Sequence, residues 1–233
     1  MGEQNIKEHA DEATRQAFMK SLLEEVRALE KMLEKGMIES GVSRIGAEQE
    51  MFLVDQARKP ARTALEVLEE VADERFTHEL GLFNIEDNLY VQEFRSDCIS
   101  RMEAETQDVY AKALEAAAKC DSDIALVGIL TTLTKAKLGL DSMVPIPRYH
   151  ALNDAVMALR GHDLQFTING IDQLVVKHDN LMLEACNTSF QVHFQVSPHD
   201  FARLYNIAQV VTGPLMAAAV NSPILLGKRL WHE

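Results

Sequence analysis

The feature that most constrains this chain is the run Thr188–Val196. Phe190, Val192, Phe194 and Val196 occupy alternate positions, and Ser189, Gln191, His193 and Gln195 fill the positions between them. A period of two over nine residues specifies a β-strand, because successive side chains point to opposite faces. It also specifies the register, since a slip of one residue would exchange the two faces. The apolar face is expected to pack on a layer of helices. The other face carries only hydrogen-bonding groups and one imidazole, so it lines either solvent or a wet cavity. His193 is either a structural histidine or a ligand, and the strand alone leaves both open.

The rest of the chain supplies what such a strand needs. Residues 14–36 read as one long helix, with Phe18, Leu22, Leu23, Val26, Leu29, Met32 and Leu33 spaced by threes and fours. Ile45–Val54 reads as a strand, Thr63–Val71 as a short helix, and Leu80–Phe94 as extended segments interrupted by Glu86-Asp87-Asn88. Ser100–Lys119 is an alanine-rich helix and Ile124–Thr131 a buried strand. A helix is expected over residues 149–160, and a hairpin over Asp163–Lys177 with Asn169-Gly170 as its turn. Residues 198–220 read as mainly helical, kinked or split at Gly213-Pro214. Helices and hairpin-type strands in irregular order predict an α+β fold with a largely antiparallel sheet. A chain of 233 residues fits one large domain or one and a half, and 47% hydrophobic residues are enough for a core.

Charge and cysteines remove several function classes. The net charge of −13 makes nucleic acid an unsuitable partner, because a phosphate backbone would be repelled. Met1–Lys20 is polar, with no apolar run that could serve as a signal peptide, and stretches such as Ile124–Leu130 and Leu215–Val220 are too short to span a bilayer. The expected location is the cytoplasm. Cys98, Cys120 and Cys186 are widely spaced and form no CxxC, which argues against a disulfide framework or a zinc knuckle. No Walker-type loop, GxGxxG, GxSxG or HExxH motif is present.

Glu48 and Glu50 are the leading candidate ligands. At i and i+2 on a strand they share a face, and two adjacent carboxylates repel unless a cation lies between them. Hard oxygen donors suit Mg²⁺ or Mn²⁺. Glu86 and Glu93 are seven residues apart, which would put them on opposite faces of an unbroken strand. They converge only if Glu86–Asn88 bends the chain. Glu93, in apolar company, is the better ligand of the two, and Glu86 also suits an ordinary turn. Pro145-Ile146-Pro147-Arg148-Tyr149 and Asn221-Ser222-Pro223 are rigid turns with a cation close by (Arg148 in the first, Lys228 after the second), suited to a carboxylate or phosphate or to plain surface charge.

In order along the chain, Gly46-Ala47-Glu48-Gln49-Glu50, Glu93, Pro147-Arg148-Tyr149, Ser189-Phe190-Gln191-Val192-His193 and Asn221-Ser222-Pro223 resemble glutamate–cysteine ligase family 2 from about Arg44 onward. The resemblance implies a glutamine-synthetase-like fold, with antiparallel strands lined by carboxylates and backed by helices. It implies Mg²⁺ (or Mn²⁺) held by Glu48, Glu50, Glu86, Glu93 and His193, with Glu86 matching less closely. Arg148, Gln191 and Asn221 would line the substrate or phosphate side. In that family ATP is a co-substrate that phosphorylates the γ-carboxylate of glutamate. The amine of cysteine then attacks the acyl phosphate to give γ-glutamylcysteine, an intermediate of glutathione biosynthesis.

The resemblance divides the chain into a helical extension, 1–43, and the N-terminal part of a ligase domain, 44–233. The family's catalytic domain continues further, with another metal-binding carboxylate and further arginines, so this chain is expected to be truncated and its own activity is left open. Some longer relatives of the extended type carry CBS domains. The partners expected are small molecules (glutamate, cysteine or another amine, and ATP), without nucleic acid or membrane, and a homo-oligomer is left open. Two other readings stand beside the glutamate–cysteine reading. One is a different carboxylate–amine pair. The other is a non-catalytic domain that binds nucleotide, amino acid or metal.

Overall fold

The computed structural model describes residues 12–231. Along the chain run α1 (Glu12–Glu34), β1 (Arg44–Val54), α2 (Ala64–Val71), β2 (Phe76–His78), β3 (Asn84–Asn88), β4 (Gln92–Glu93), α3 (Cys98–Lys119) and β5 (Asp123–Ala125). They are followed by α4 (Pro147–Arg160), β6 (Leu164–Asn169), β7 (Gln173–His178), β8 (Phe190–Gln195), α5 (Phe201–Ala219), β9 (Ile224–Leu225) and β10 (Lys228–Arg229). Short 3₁₀ turns at Lys135–Lys137, Leu140–Ser142 and Leu181–Cys186 join the elements of the second half. The protein is α+β, and every strand pairing is antiparallel.

β1 is the spine of the sheet. One edge pairs with β3 and then β4, with β2 outside β3. The other edge pairs with β8 along Arg44–Gln49 and with β5 along Phe52–Val54. Its apolar residues explain the central position. Met51, Phe52, Leu53 and Val54 are completely buried, and burying side chains of this size stabilises by roughly 1.5–3 kcal/mol each.

The two faces of β1 have different cover. Ile45, Ala47, Met51 and Leu53 pack against α2 and α3 through Ala64, Val67, Met102, Val109, Ala113 and Ala117. The small residues of α3 let the helix approach the sheet closely. On the opposite face, Phe52 and Val54 join a second core with Phe83, Leu133, Leu138 and Met182. Glu48 and Glu50 lie on that same face, further toward the start of the strand, where the apolar cover stops.

The structure departs from the sequence expectations at several elements. The strand expected over Ile124–Thr131 is ordered as β-structure only at Asp123–Ala125 and at one bridge, Ile129 to Asn187. The helix that begins at Phe201 runs through Pro214 without splitting. The apolar face of β8 does not pack on a helix layer. Phe190, Val192 and Phe194 are 45%, 45% and 55% exposed, because α2 and α3 cover β1 and β3 but stop short of β8. α1 forms as expected, yet none of its described residues is buried, and the same holds for α5. The rest of the 1–43 extension, residues 1–11, and His232 and Glu233 at the other end lie outside the described residues.

The hairpin turn is also shifted. Asn169 pairs with Gln173, so the loop is Gly170-Ile171-Asp172 rather than Asn169-Gly170. The tail around β10 docks there. Asp172 accepts two guanidinium hydrogen bonds from Arg229 at 3.0 and 3.1 Å, and Leu230 is buried with Leu174 and Val176. A Cβ on Gly170 would lie 2.0 Å from the Leu230 carbonyl oxygen, so only glycine fits. Gly170→Ala is expected to undock the tail and to lower stability by roughly 1–3 kcal/mol. Amide hydrogen exchange should show protection lost across 224–230 and retained in β1.

Candidate functional site

The site is built on the open half of the β1 face. Glu50 stands directly opposite Glu86 in the β1–β3 register. Glu79 follows immediately after β2, and continuing the β2–β3 register sets it opposite Asn84. Glu50, Glu79 and Glu86 each offer a carboxylate oxygen, and these oxygens all lie within 4.8 Å of one another. Like charges directly opposite on a sheet repel, so this arrangement raises the cost of ionisation. Burial, with Glu86 as the next cause, pushes the Glu79 carboxyl up to about 8, and burial raises Glu50 as well.

β8 holds the other side of the carboxylates. Glu50 Oε2 accepts hydrogen bonds from the Ser189 amide at 2.7 Å and the Ser189 hydroxyl at 3.2 Å. Glu50 Oε1 accepts one from the Gln191 side-chain amide at 3.0 Å. His193 Nε2 is 3.2 Å from Glu48 Oε1. Both contacts are diagonal, since Gln191 is paired in register with Glu48, and His193 with Gly46. Diagonal neighbours are within reach of long side chains. The polar face of the alternating strand therefore orients the paired glutamates of β1.

Glu93 stands elsewhere. It is opposite Arg44, six residues along β1 from the Glu50 position, or about 20 Å at the usual strand rise. Its carboxylate pairs with Arg95 at 2.7 Å. Glu86–Asn88 lies within the regular β3, so the bend on which convergence of Glu86 and Glu93 depended is absent there; the irregularity falls at 89–91 and does not bring the two together. Arg148 lies at the start of α4, where its charge acts on His78 and Tyr149. Asn221 is exposed, and its backbone carbonyl accepts from the Gly128 amide at 2.9 Å. Nothing in the described structure brings Asn221 to the carboxylates.

Sequence reasoning missed Glu79 altogether, along with the residues around it. His78 Nδ1 lies 3.0 Å from the Tyr149 hydroxyl, and burial next to Glu79 pushes that phenol up to about 12. Asn84 is 1% exposed, and neither atom of its side-chain amide has a partner. Leaving a buried polar group unsatisfied costs about 1–3 kcal/mol. The available signal was Gly81, which turns β2 back into β3 and sets Glu79 across from residues 84–86. The short β2 hid it.

A model of glutamate–cysteine ligase family 2 matches residues 44–233. The chain belongs to that family. The match starts where β1 starts and leaves α1 outside it. No curated protein matches the chain. Family membership makes this a domain of the carboxylate–amine ligase type, and the carboxylates of β1 and β3 are where its polar face is most concentrated. No helix among the described residues is long and apolar enough to cross a membrane.

The donor set fits a divalent cation. Three carboxylate oxygens on rigid strands are hard ligands of the kind Mg²⁺ and Mn²⁺ take, and the repulsion among them is what such an ion relieves. The pH dependence of the metal-free protein follows from Glu79. Its folded value of about 8 stands above the ordinary 4.5, so between those pH values the folded state keeps a proton that the unfolded chain has released. Stability is therefore expected to fall as pH rises from about 4.5 to 8, with no such loss below that window. Thermal melts in chelator should show this slope, and Glu79→Gln should flatten it and be the more stable protein at pH 8.

Proposed function

We propose that this domain serves an ATP-dependent ligase that joins the γ-carboxylate of glutamate to the amine of cysteine. The observation that carries the reading is the Glu50–Glu79–Glu86 triad, set on paired strands within a chain of this ligase family. A carboxylate acylates an amine only after activation, and phosphoryl transfer from ATP provides it. That transfer depends mainly on positioned charge rather than on covalent help from the protein.

Glu50, Glu79 and Glu86 would hold Mg²⁺ or Mn²⁺, with Glu48 and His193 beside them. When bound, the ion supplies positive charge to the phosphate oxygens. Ser189 and Gln191 fix the rotamer of Glu50, and His193 fixes that of Glu48, so the donors are preorganised before a ligand arrives. Arg148 is the cation proposed to meet an anionic substrate group, since its charge already acts on the His78–Tyr149 pair beside Glu79. Glu93 and Asn221 stand away from the triad, and this reading assigns neither a role there.

The test is phosphate release from Mg-ATP with glutamate, with and without cysteine. Release that needs both amino acids is expected, and Glu50→Ala should lower it by roughly a hundredfold or more. Mn²⁺ affinity should fall in parallel. Release with glutamate alone would replace cysteine by another amine. No release from a folded protein that still binds Mn²⁺ would overturn the glutamate reading in favour of another carboxylate substrate or a non-catalytic binding domain.

A further inference from the structure

A cavity of about 170 Å³ opens beside the triad. Its polar walls are Glu50, Glu79, Asn84, Glu184, Asn187, Ser189 and Gln191, and it is lined by no lysine or arginine. Glu86 does not line it, while Glu184 and Asn187 belong to it and not to the triad. The cavity thus shares Glu50 and Glu79 with the cluster and adds Glu184 and Asn187. Asn84 lines it, buried and with both the oxygen and the nitrogen of its amide unpartnered. The space for that amide depends on Gly81, where a Cβ would lie 2.6 Å from Asn84 Oδ1. A buried amide left open in this way calls for a partner that the protein does not supply.

The wall chemistry defines that partner. Glu50 is already engaged by Ser189 and Gln191. Glu79 is taken up by the triad and by the Leu80 amide, so the acceptors that remain are Glu184 and Asn84 Oδ1, around a small space that is acidic and lined by no cation. Such a space suits a compact cationic donor with several N–H groups. We propose that this pocket seats the ammonium group of an amino-acid substrate, with Asn84 Oδ1 and the Glu184 carboxylate among its acceptors. This rests on the ligase reading above and adds to it the subsite that recognises the amino group. The ammonium groups of glutamate and of the acceptor amino acid share this chemistry.

Two pairs of probes differ only in that group: L-glutamate against glutarate, and L-2-aminobutyrate against butyrate. Each is titrated calorimetrically into the chain, with and without Mn²⁺. In one pair the ammonium-bearing member should bind at least tenfold more tightly than its partner, and that pair identifies which substrate uses the pocket. Asn84→Leu and Glu184→Gln should each reduce the preference to less than threefold, with Mn²⁺ affinity unchanged within twofold. Glu184 is exposed, so its variant tests the pocket without disturbing the core. Equal binding within both pairs, no binding of any probe to the wild type, or a preference that survives Glu184→Gln would overturn the proposal. Failure of Mn²⁺ to bind the wild type would instead count against the metal cluster, and the probe pairs would still be read without it.

Discussion

Glu50 facing Glu86 across β1 and β3 is the contact around which the rest of the structure is arranged. Two carboxylates in direct cross-strand register oppose the pairing that brings them together. They persist because the strands are held from elsewhere. Met51 to Val54 anchor β1 in apolar cores on both faces, and Ile85 and Phe83 do the same for β3 and its entry. The repulsion is therefore absorbed by hydrophobic burial a few residues away. This is the usual relation between a preorganised site and its scaffold: local rules are broken where function needs it and compensated where the core is densest.

The path from β3 to β4 shows how one residue can set a face. Glu48 pairs with Asn88, whereas Arg44 pairs with Glu93. Four residues on β1 are matched by five on the other strand, so 89–91 contains one extra residue, as in a β-bulge. That residue restores Glu93 to the face of Glu86 despite their odd spacing. The bulge is held in place. The Tyr90 amide donates to Glu105 at 3.0 Å, and the Arg75 guanidinium lies 5.4 Å from the Tyr90 ring centroid. Arg75 is itself buried and bonded to Asp73, Glu105 and Asp108. The parity of the polar face beyond Asn88 thus depends on a buried ion network on the helix side of the sheet.

Much of this was legible from period-two patterns. Alternation put Glu48 and Glu50 on one face of β1, and Ser189, Gln191 and His193 on one face of β8, while the pairing of the two strands is a non-local fact of the fold. What escaped was non-local. Glu79 sits beyond a three-residue strand, too short to show alternation, and reaches the site only because Gly81 reverses the chain. The bulge at 89–91 has no composition cue, since Leu89-Tyr90-Val91 reads as ordinary strand. The exposure of Phe190, Val192 and Phe194 was hidden for a different reason. Alternation reports which side chains share a face, but says nothing about whether another element covers that face.

This difference in cover explains why the site lies where it does. At its C-terminal end β1 is enclosed on both faces, so its backbone cannot shift without opening two cores. At its N-terminal end the helix face stays packed through Ile45 and Ala47, while the opposite face carries Glu48 and Glu50 with the β8 groups that hold them, and Arg44 bonded to Gln195 and Glu39 beyond. One strand therefore supplies both a fixed anchor and an uncovered row of donors. The transition falls between Glu50 and Phe52, two residues apart on one face, and Asn84 pairs with Phe52 at that boundary. An unsatisfied amide at the seam between apolar core and acidic site sits deep enough to be rigid and close enough to the carboxylates to select what they bind.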